Sequence, residues 1–246
     1  MIAADKSYRD AARRTALHEL ETNNFKLSGV SSAEMIAVYA NRMAKKKTPG
    51  RPIYDALMLA PQFGLCPLCG QRTVSTLDHH LPKTLYPSLA VNPINLIPAC
   101  GDCNKLKLDI APNSSDEETL HPYFDAVDDA VWLRAEVIEG DPIALRFFVD
   151  SPNSWDLTLT SRVRRHFRVF GLASLYASHS APEVSSLGLS LESVFGDGGS
   201  EGEQRVRDNL LERAAGWRQV RLNTWQGATY TALAESPWFC RGGFLS

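Results

Sequence analysis

The chain has 246 residues, 44% of them hydrophobic and 22% charged, with a formal net charge of −2 at pH 7. That is enough chain for one large or two to three small globular units. No apolar run reaches the length of a membrane span, and the near-neutral balance excludes a general nucleic-acid coat protein, so any nucleic-acid footprint must be local. The charge is uneven along the sequence: residues 1–60 carry 10 Lys and Arg against 6 Asp and Glu, whereas residues 113–150 carry 2 against 10.

In chain order, Met1–Leu20 reads as a helix, with Ala11, Ala12, Leu17 and Leu20 set among charges. Met1–Arg14 is polar and lacks the apolar core of a secretory signal, which predicts a cytoplasmic chain. Ser31-Ser32-Ala33-Glu34 has the capping-box pattern ahead of a helix over Met35–Met43, with Ser31 as N-cap. Lys45-Lys46-Lys47 follows, either as cations that suit a helix C-terminus or as an arm that contacts phosphate. Thr48–Pro52 breaks the helix, and Ile53–Leu59 is a second short one.

Cys66-Pro-Leu-Cys69 and Cys100-Gly-Asp-Cys103 are two C-x-x-C knuckles. Facing each other, they supply four thiolates to one ion, the tetrahedral arrangement of a structural Zn²⁺ site with no open position. In a cytoplasmic chain thiols stay reduced, so a metal is expected rather than disulfides. Cys240 has no partner motif and reads as a small buried residue. Between the knuckles, Val74–His79 and Leu96–Pro98 are short strands, Pro82, Pro87 and Pro93 impose an irregular loop, and a helix opens at about Asp102–Leu108. Asn104 and Lys107 are three apart and share a face of that helix.

The stretch Cys66–Lys107 resembles the HNH, or ββα-metal, endonuclease superfamily in its zinc-stapled form. Asp78-His79-His80-Leu81-Pro82 matches the D-H-x-x-P element, Asn95-Leu96 the central N-L, and Cys100 to Lys107 the C-x-x-C-N-x-x-K ending. The resemblance covers about a sixth of the chain. It implies that Asp78 and Asn104 ligate one catalytic divalent metal, Mg²⁺ or Mn²⁺, that His79 is the general base, and that Asn95 holds the base-bearing loop. Lys107 and Lys83 are then phosphate contacts. His80 is a second candidate base; the family pattern counts the base three residues before the proline and selects His79, leaving His80 as a substrate contact or an incidental loop residue. The chemistry agrees with these roles: an imidazole titrates near neutrality and can take a proton from water, and one carboxylate plus one amide oxygen suits a hard cation.

Beyond the motif, Asp109–Glu118 is an acidic loop, and His121 reads more readily as a packed, hydrogen-bonded residue than as a group behind the active site. Val131–Ile138 and Ile143–Val149, separated by Glu139-Gly140-Asp141-Pro142, form a hairpin. Leu157–Ala177 has helical spacing and carries Arg162, Arg164, Arg165 and Arg168, which either pair with the acidic middle segment, the preferred reading, or border a substrate groove. Gly196–Gly202 is a flexible connection, Glu203–Val220 and Thr224–Ala234 are helices, and Trp225, Trp238, Phe239 and Phe244 anchor the tail.

The fold class expected is α+β: a helical N-terminal arm (1–59), a zinc-stapled ββα core (60–112), and a C-terminal hairpin plus helical domain (113–246). The function implied by the resemblance is hydrolysis of phosphodiester bonds, with DNA favoured over RNA as the partner and no membrane. By analogy with compact members of the family, it points to an effector in bacterial restriction or anti-phage defence working beside an ATPase or sensor subunit. The alternative is a non-catalytic zinc module that binds nucleic acid or a protein.

Overall fold

The structure, a computed structural model, describes residues 2–245. It is α+β, with two small two-stranded sheets among helices. The chain divides into two compact units, Met1–Ala126 with Leu157–Phe170, and Val127–Asp156 with Gly171–Ser246.

The first unit begins with α1 (Ile2–Arg13). The periodicity predicts a helix to Leu20, yet α1 ends earlier because Thr15 takes φ 55°, a conformation costly for a β-branched residue. Packing imposes it: Tyr8, Ala11, Leu17 and Phe25 close on Leu81, Tyr86 and Leu89 in one buried cluster. The capping box forms as read, with Ser31 Oγ accepting from Glu34 N–H at 3.2 Å and Glu34 Oε2 accepting from Ser31 N–H at 2.8 Å. The helix it opens, α2 (Ser32–Val38), widens into a π-helical stretch over Tyr39–Ala44. Gly50 then packs so closely that a Cβ there would lie 2.7 Å from Arg42 O, and α3 (Arg51–Leu59) follows.

Two antiparallel strands come next, β1 (Thr76–His79) and β2 (Leu96–Ala99), paired from Thr76↔Ala99 to His79↔Leu96. Strand β1 starts two residues later than its β-branched content suggests, because Val74 N–H turns to Gly64 O instead. The helix α4 (Gly101–Lys107) completes a ββα unit. The helix α5 (Leu157–Val169) returns to the same unit. Its buried Arg162 makes a bidentate pair with Asp125, at 2.6 and 2.8 Å, and also donates to Glu118 O and Thr119 O. One arginine of the basic cluster is thus tied to the acidic segment. One turn on, His166 Nε2–H donates to Leu68 O at 2.7 Å.

The second unit is built on the hairpin of β3 (Leu133–Ile138) and β4 (Ala144–Val149). The single helix expected over Leu157–Ala177 is two helices: Gly171, at φ 59°, ends the first, as glycine does in left-handed caps, and α6 (Leu172–Phe195) begins after it. The Gly-rich stretch is only in part a connection. Gly199–Gly202 already belongs to α7 (Gly199–Val220), and a Cβ on Gly202 would sit 2.6 Å from Phe195 O, so glycine serves close packing there. The helix α8 (Trp225–Glu235) is capped by Thr224 and buried on almost every side. Asn223 accepts from Trp132 and Leu133 N–H, fixing the start of β3. After α9 (Pro237–Cys240), Phe239, Cys240 and Phe244 are buried, which seats the tail.

Buried imidazoles give the first unit a pH dependence, His121 and His166 among them. His121 Nδ1 accepts from Tyr123 N–H, which places its proton on Nε2 beside Tyr8 Oη at 2.9 Å. Burial pushes both His121 and His166 down to about 4. Folded, each binds fewer protons than unfolded between pH 4 and 6.5. The stability they confer is therefore complete above pH 6.5 and lost as pH falls through that window. The loss at pH 5 is on the order of 2 kcal/mol per imidazole. Urea unfolding at pH 7.5 and 5.0 should show a smaller acid loss in His166→Gln, which keeps the donor to Leu68, than in the natural protein.

Candidate functional site

The two knuckles meet. The Sγ atoms of Cys66, Cys69, Cys100 and Cys103 lie within 4.8 Å of one another, all buried. Local backbone shapes each knuckle: Cys66 N–H bonds Arg72 O and Gly70 N–H bonds Cys66 O, while Arg72 N–H points at Cys69 Sγ and Cys103 N–H at Cys100 Sγ. Such N–H groups favour thiolates over thiols. Within the cluster the sulfurs share protons: hydrogen bonds from Cys103 and Cys66 pull the Cys69 thiol down, and the same contacts, with burial, push Cys103 up. Arg72, paired with Asp102 at 2.9 Å, adds positive charge beside the sulfurs. Four converging, buried thiols with this support can hold Zn²⁺ and leave it no open position.

Beyond that cluster, the end of β1 carries Asp78 and His79, 5% and 6% exposed. Helix α4 lies against this strand and supplies Lys107, whose Nζ donates to His79 O at 2.7 Å and sits 3.2 Å from Asp78 Oδ2 and 3.5 Å from Oδ1. The contact to Oδ2 is an ion pair without hydrogen-bond geometry, so that oxygen is buried with no hydrogen bond. Burial pushes the Asp78 carboxyl up, against the pull of Lys107 and the His79 N–H. Asn104, one turn before Lys107 on α4, is half-buried, and its side-chain amide has no protein partner among the described residues. A carboxylate and an amide are the donor types of a hard divalent cation, but here the carboxylate is already paired with the Lys107 ammonium.

His79 is held in one tautomer. Its Nε2 lies 2.9 Å from Ala90 O; a carbonyl only accepts, so the proton is on Nε2 and Nδ1 keeps its lone pair. Burial pushes the imidazole down to about 4, despite the Ala90 bond, and Lys83 and Lys107 push the same way. It is neutral at pH 7. Ala90 is held in place by Asn95, fully buried, whose Oδ1 accepts from Leu81 N–H at 2.7 Å and whose Nδ2 donates to Leu81 O and Leu89 O. The amide thus clamps both ends of the loop that supplies the carbonyl.

The structure brings Asp78, His79, Asn95 and Lys107 into one connected network. Lys107, expected at phosphate, is turned inward. Lys83 lies 5.6 Å from the centre of the Tyr39 ring, and Tyr39 packs edge-on against the His79 imidazole, centroids 4.6 Å apart. Tyr39 was not legible as a site residue; in sequence it is one aromatic in a helical run. His80 goes elsewhere, its ring 4.2 Å from that of His121.

Comparison with known proteins finds one resemblance in sequence. The chain is similar to protein ea31 of Escherichia phage lambda. The two are 30% identical over 174 residues, which is 69% of this chain and 58% of ea31. The chain therefore spans less than two thirds of the length of that curated relative. A match that covers 69% of 246 residues necessarily takes in Asp78–Lys107. No protein-family model and no solved structure matches the chain.

Asn95→Ala strips a donor from two carbonyls and an acceptor from one N–H in a dry loop. It should cost roughly 3 kcal/mol in urea unfolding and loosen the carbonyl that fixes the His79 tautomer, visible as a new His79 imidazole resonance position in NMR.

Proposed function

We propose that this protein is a metal-dependent endonuclease of the HNH, ββα-metal type that hydrolyses phosphodiester bonds in DNA. The observation that carries the reading is the pairing of a neutral imidazole of fixed tautomer with a buried carboxylate at the end of one strand, facing a helix that offers an amide.

His79 Nδ1 accepts a proton from the attacking water. The Ala90 carbonyl holds the ring while it does so and stabilises the imidazolium that forms. Asp78 and Asn104 hold the divalent cation. When bound, that cation stabilises charge on the phosphate and on the leaving oxygen. Lys107 orients the Asp78 carboxylate and ties it to the backbone of the base. Lys83, over the Tyr39 ring, is the proposed contact to substrate phosphate. Zn²⁺ in the four-cysteine cluster holds the knuckles, and hence α4, against the strands. The same reading puts the chain in the cytoplasm as an effector of restriction or anti-phage defence beside an ATPase or sensor subunit; family analogy alone supports that context.

A second reading has its own support. Asp78 and His79 are both nearly closed off, and an ammonium already sits on the carboxylate. These features suit a non-catalytic zinc module that binds nucleic acid or a protein.

Plasmid nicking by the purified chain with EDTA, Mg²⁺ or Mn²⁺ separates the two. The endonuclease reading expects metal-dependent cutting that falls about 10²- to 10⁴-fold in His79→Ala with zinc content unchanged. Cutting that survives His79→Ala and Asp78→Ala sinks it. Binding without cutting in any metal, unaffected by His79→Ala, excludes a nuclease that acts alone and leaves the module or an effector that needs its partner.

A further inference from the structure

The first unit contains a cavity of about 140 Å³ that the proposed chemistry leaves unused. It is bounded by the end of α4 and the residues after it, by Glu117–Thr119, and by α5. His80 and Lys107 line it, so it adjoins the Asp78–His79 network directly.

Two buried polar groups that line the cavity lack partners. His80 is 6% exposed, and neither ring nitrogen has a hydrogen-bond partner among the described residues. The other buried imidazoles of this unit are each anchored: His79 to Ala90, His121 to Tyr8 and Tyr123, His166 to Leu68. Arg165 Nε, on α5, is likewise buried without a partner. A dry Arg165 Nε is costly, and a ligand that pairs with it removes the cost; the unbonded His80 nitrogens, which are not among the dry atoms, can pair with the same ligand. Leu106 and Ile110 also line the cavity while 48% and 57% exposed, so apolar surface stands open beside the polar groups.

Size and charge narrow the ligand. Pockets for whole small ligands run from about 300 to 1,000 Å³; this one takes a single planar ring system. A phosphate suits it poorly. Glu117 and Glu118 line it opposite Arg165, and the Lys107 ammonium is already held by Asp78. Apolar walls with donors and acceptors together at the edge match a heterocyclic base.

We infer that this cavity takes one unstacked nucleobase of the substrate, read by His80 and Arg165, next to the phosphate served by His79. The inference rests on the endonuclease reading and deepens it: the substrate is DNA whose base is free to leave the stack, single-stranded or locally unpaired, because extruding a paired base costs a few kcal/mol. His79 and His80, adjacent in the chain, would then divide the work: the first faces Ala90 and Tyr39, the second the cavity and His121.

The test is saturation-transfer NMR on the full chain with each of the four deoxynucleosides, which carry no phosphate, and with inorganic phosphate as competitor. Two variants accompany it: Val169→Phe, which fills the cavity, and Ile110→Asp, at an exposed rim where folding is not at risk. At least one deoxynucleoside should bind, inorganic phosphate should fail to displace it, and Ile110→Asp should weaken it at least tenfold, as should Val169→Phe if its melting curve is unchanged. No binding by any deoxynucleoside, binding equal in Ile110→Asp, or displacement by phosphate overturns the inference. A parallel cleavage assay keeps the two readings apart. Cutting without nucleoside binding overturns the base site alone, whereas nucleoside binding in a chain that cuts nothing upholds the site and counts against a nuclease that acts alone.

Discussion

One buried ammonium organises the candidate site. Lys107 Nζ touches the Asp78 carboxylate and the carbonyl of His79 at once, and so ties helix α4 to the last two residues of β1. The attraction at 3.2 Å is about 5 kcal/mol at an effective dielectric near 20, of the same order as the several kcal/mol per ion needed to bury both charges. The pair therefore adds little net stability. What it does is directional: with two groups fixed to one nitrogen, the carboxylate is held against rotation and the strand end against sliding past the helix. The four cysteines act on the other end of α4, where Cys100 is the N-cap and Cys103 lies in the first turn. Helix position is thus determined at both ends, by thiols before and by an ammonium after.

The same logic extends to the loop that leaves β1. Asn95 holds Leu81 and Leu89, Ala90 O holds His79, and Tyr39 covers the ring from the other side. Tyr39 is the first residue of a π-helical stretch, a distortion often found at functional sites. The wide turn sets the aromatic on the imidazole, and Gly50 closes on Arg42 just behind it. Every polar group around His79 has an internal reason for its place. His80, one residue on, is held by its N–H on Asn95 O and by its ring against His121, but its ring nitrogens make no hydrogen bond, and that is the contrast between the two neighbours.

Much of this was readable from residues alone. The doubled C-x-x-C spacing, the serine-to-glutamate capping box and the short strands on either side of the proline-rich loop each express a local rule, and local rules survive without tertiary context. The misses share the opposite property. The end of α1 at Thr15, the π-helical stretch at Tyr39 and the helical start at Gly199 all depend on what packs against them: the Leu81–Leu89 loop, the His79 ring and the Phe195 backbone. Lys107 shows the limit within the motif itself. Spacing put it on the same face as Asn104, but only burial reveals that its charge turns inward to Asp78 and away from solvent.

Charge places a last constraint on any nucleic-acid role. A chain of net charge −2 has no field to draw a polyanion from a distance, and counterion release from a few lysines and arginines gives weak binding that fades with salt. With Lys107 on Asp78, Arg162 on Asp125 and Arg72 on Asp102, several cations near the ββα unit are already neutralised. Under the endonuclease reading, affinity can then come from short-range contacts such as the proposed base site, or from delivery by another subunit. An apolar, hydrogen-bonding pocket is little affected by salt, whereas recruitment by a partner would leave the isolated chain weak at every ionic strength. The two sources are physically distinct, and they add to whatever the exposed Lys45–Lys47 run contributes locally.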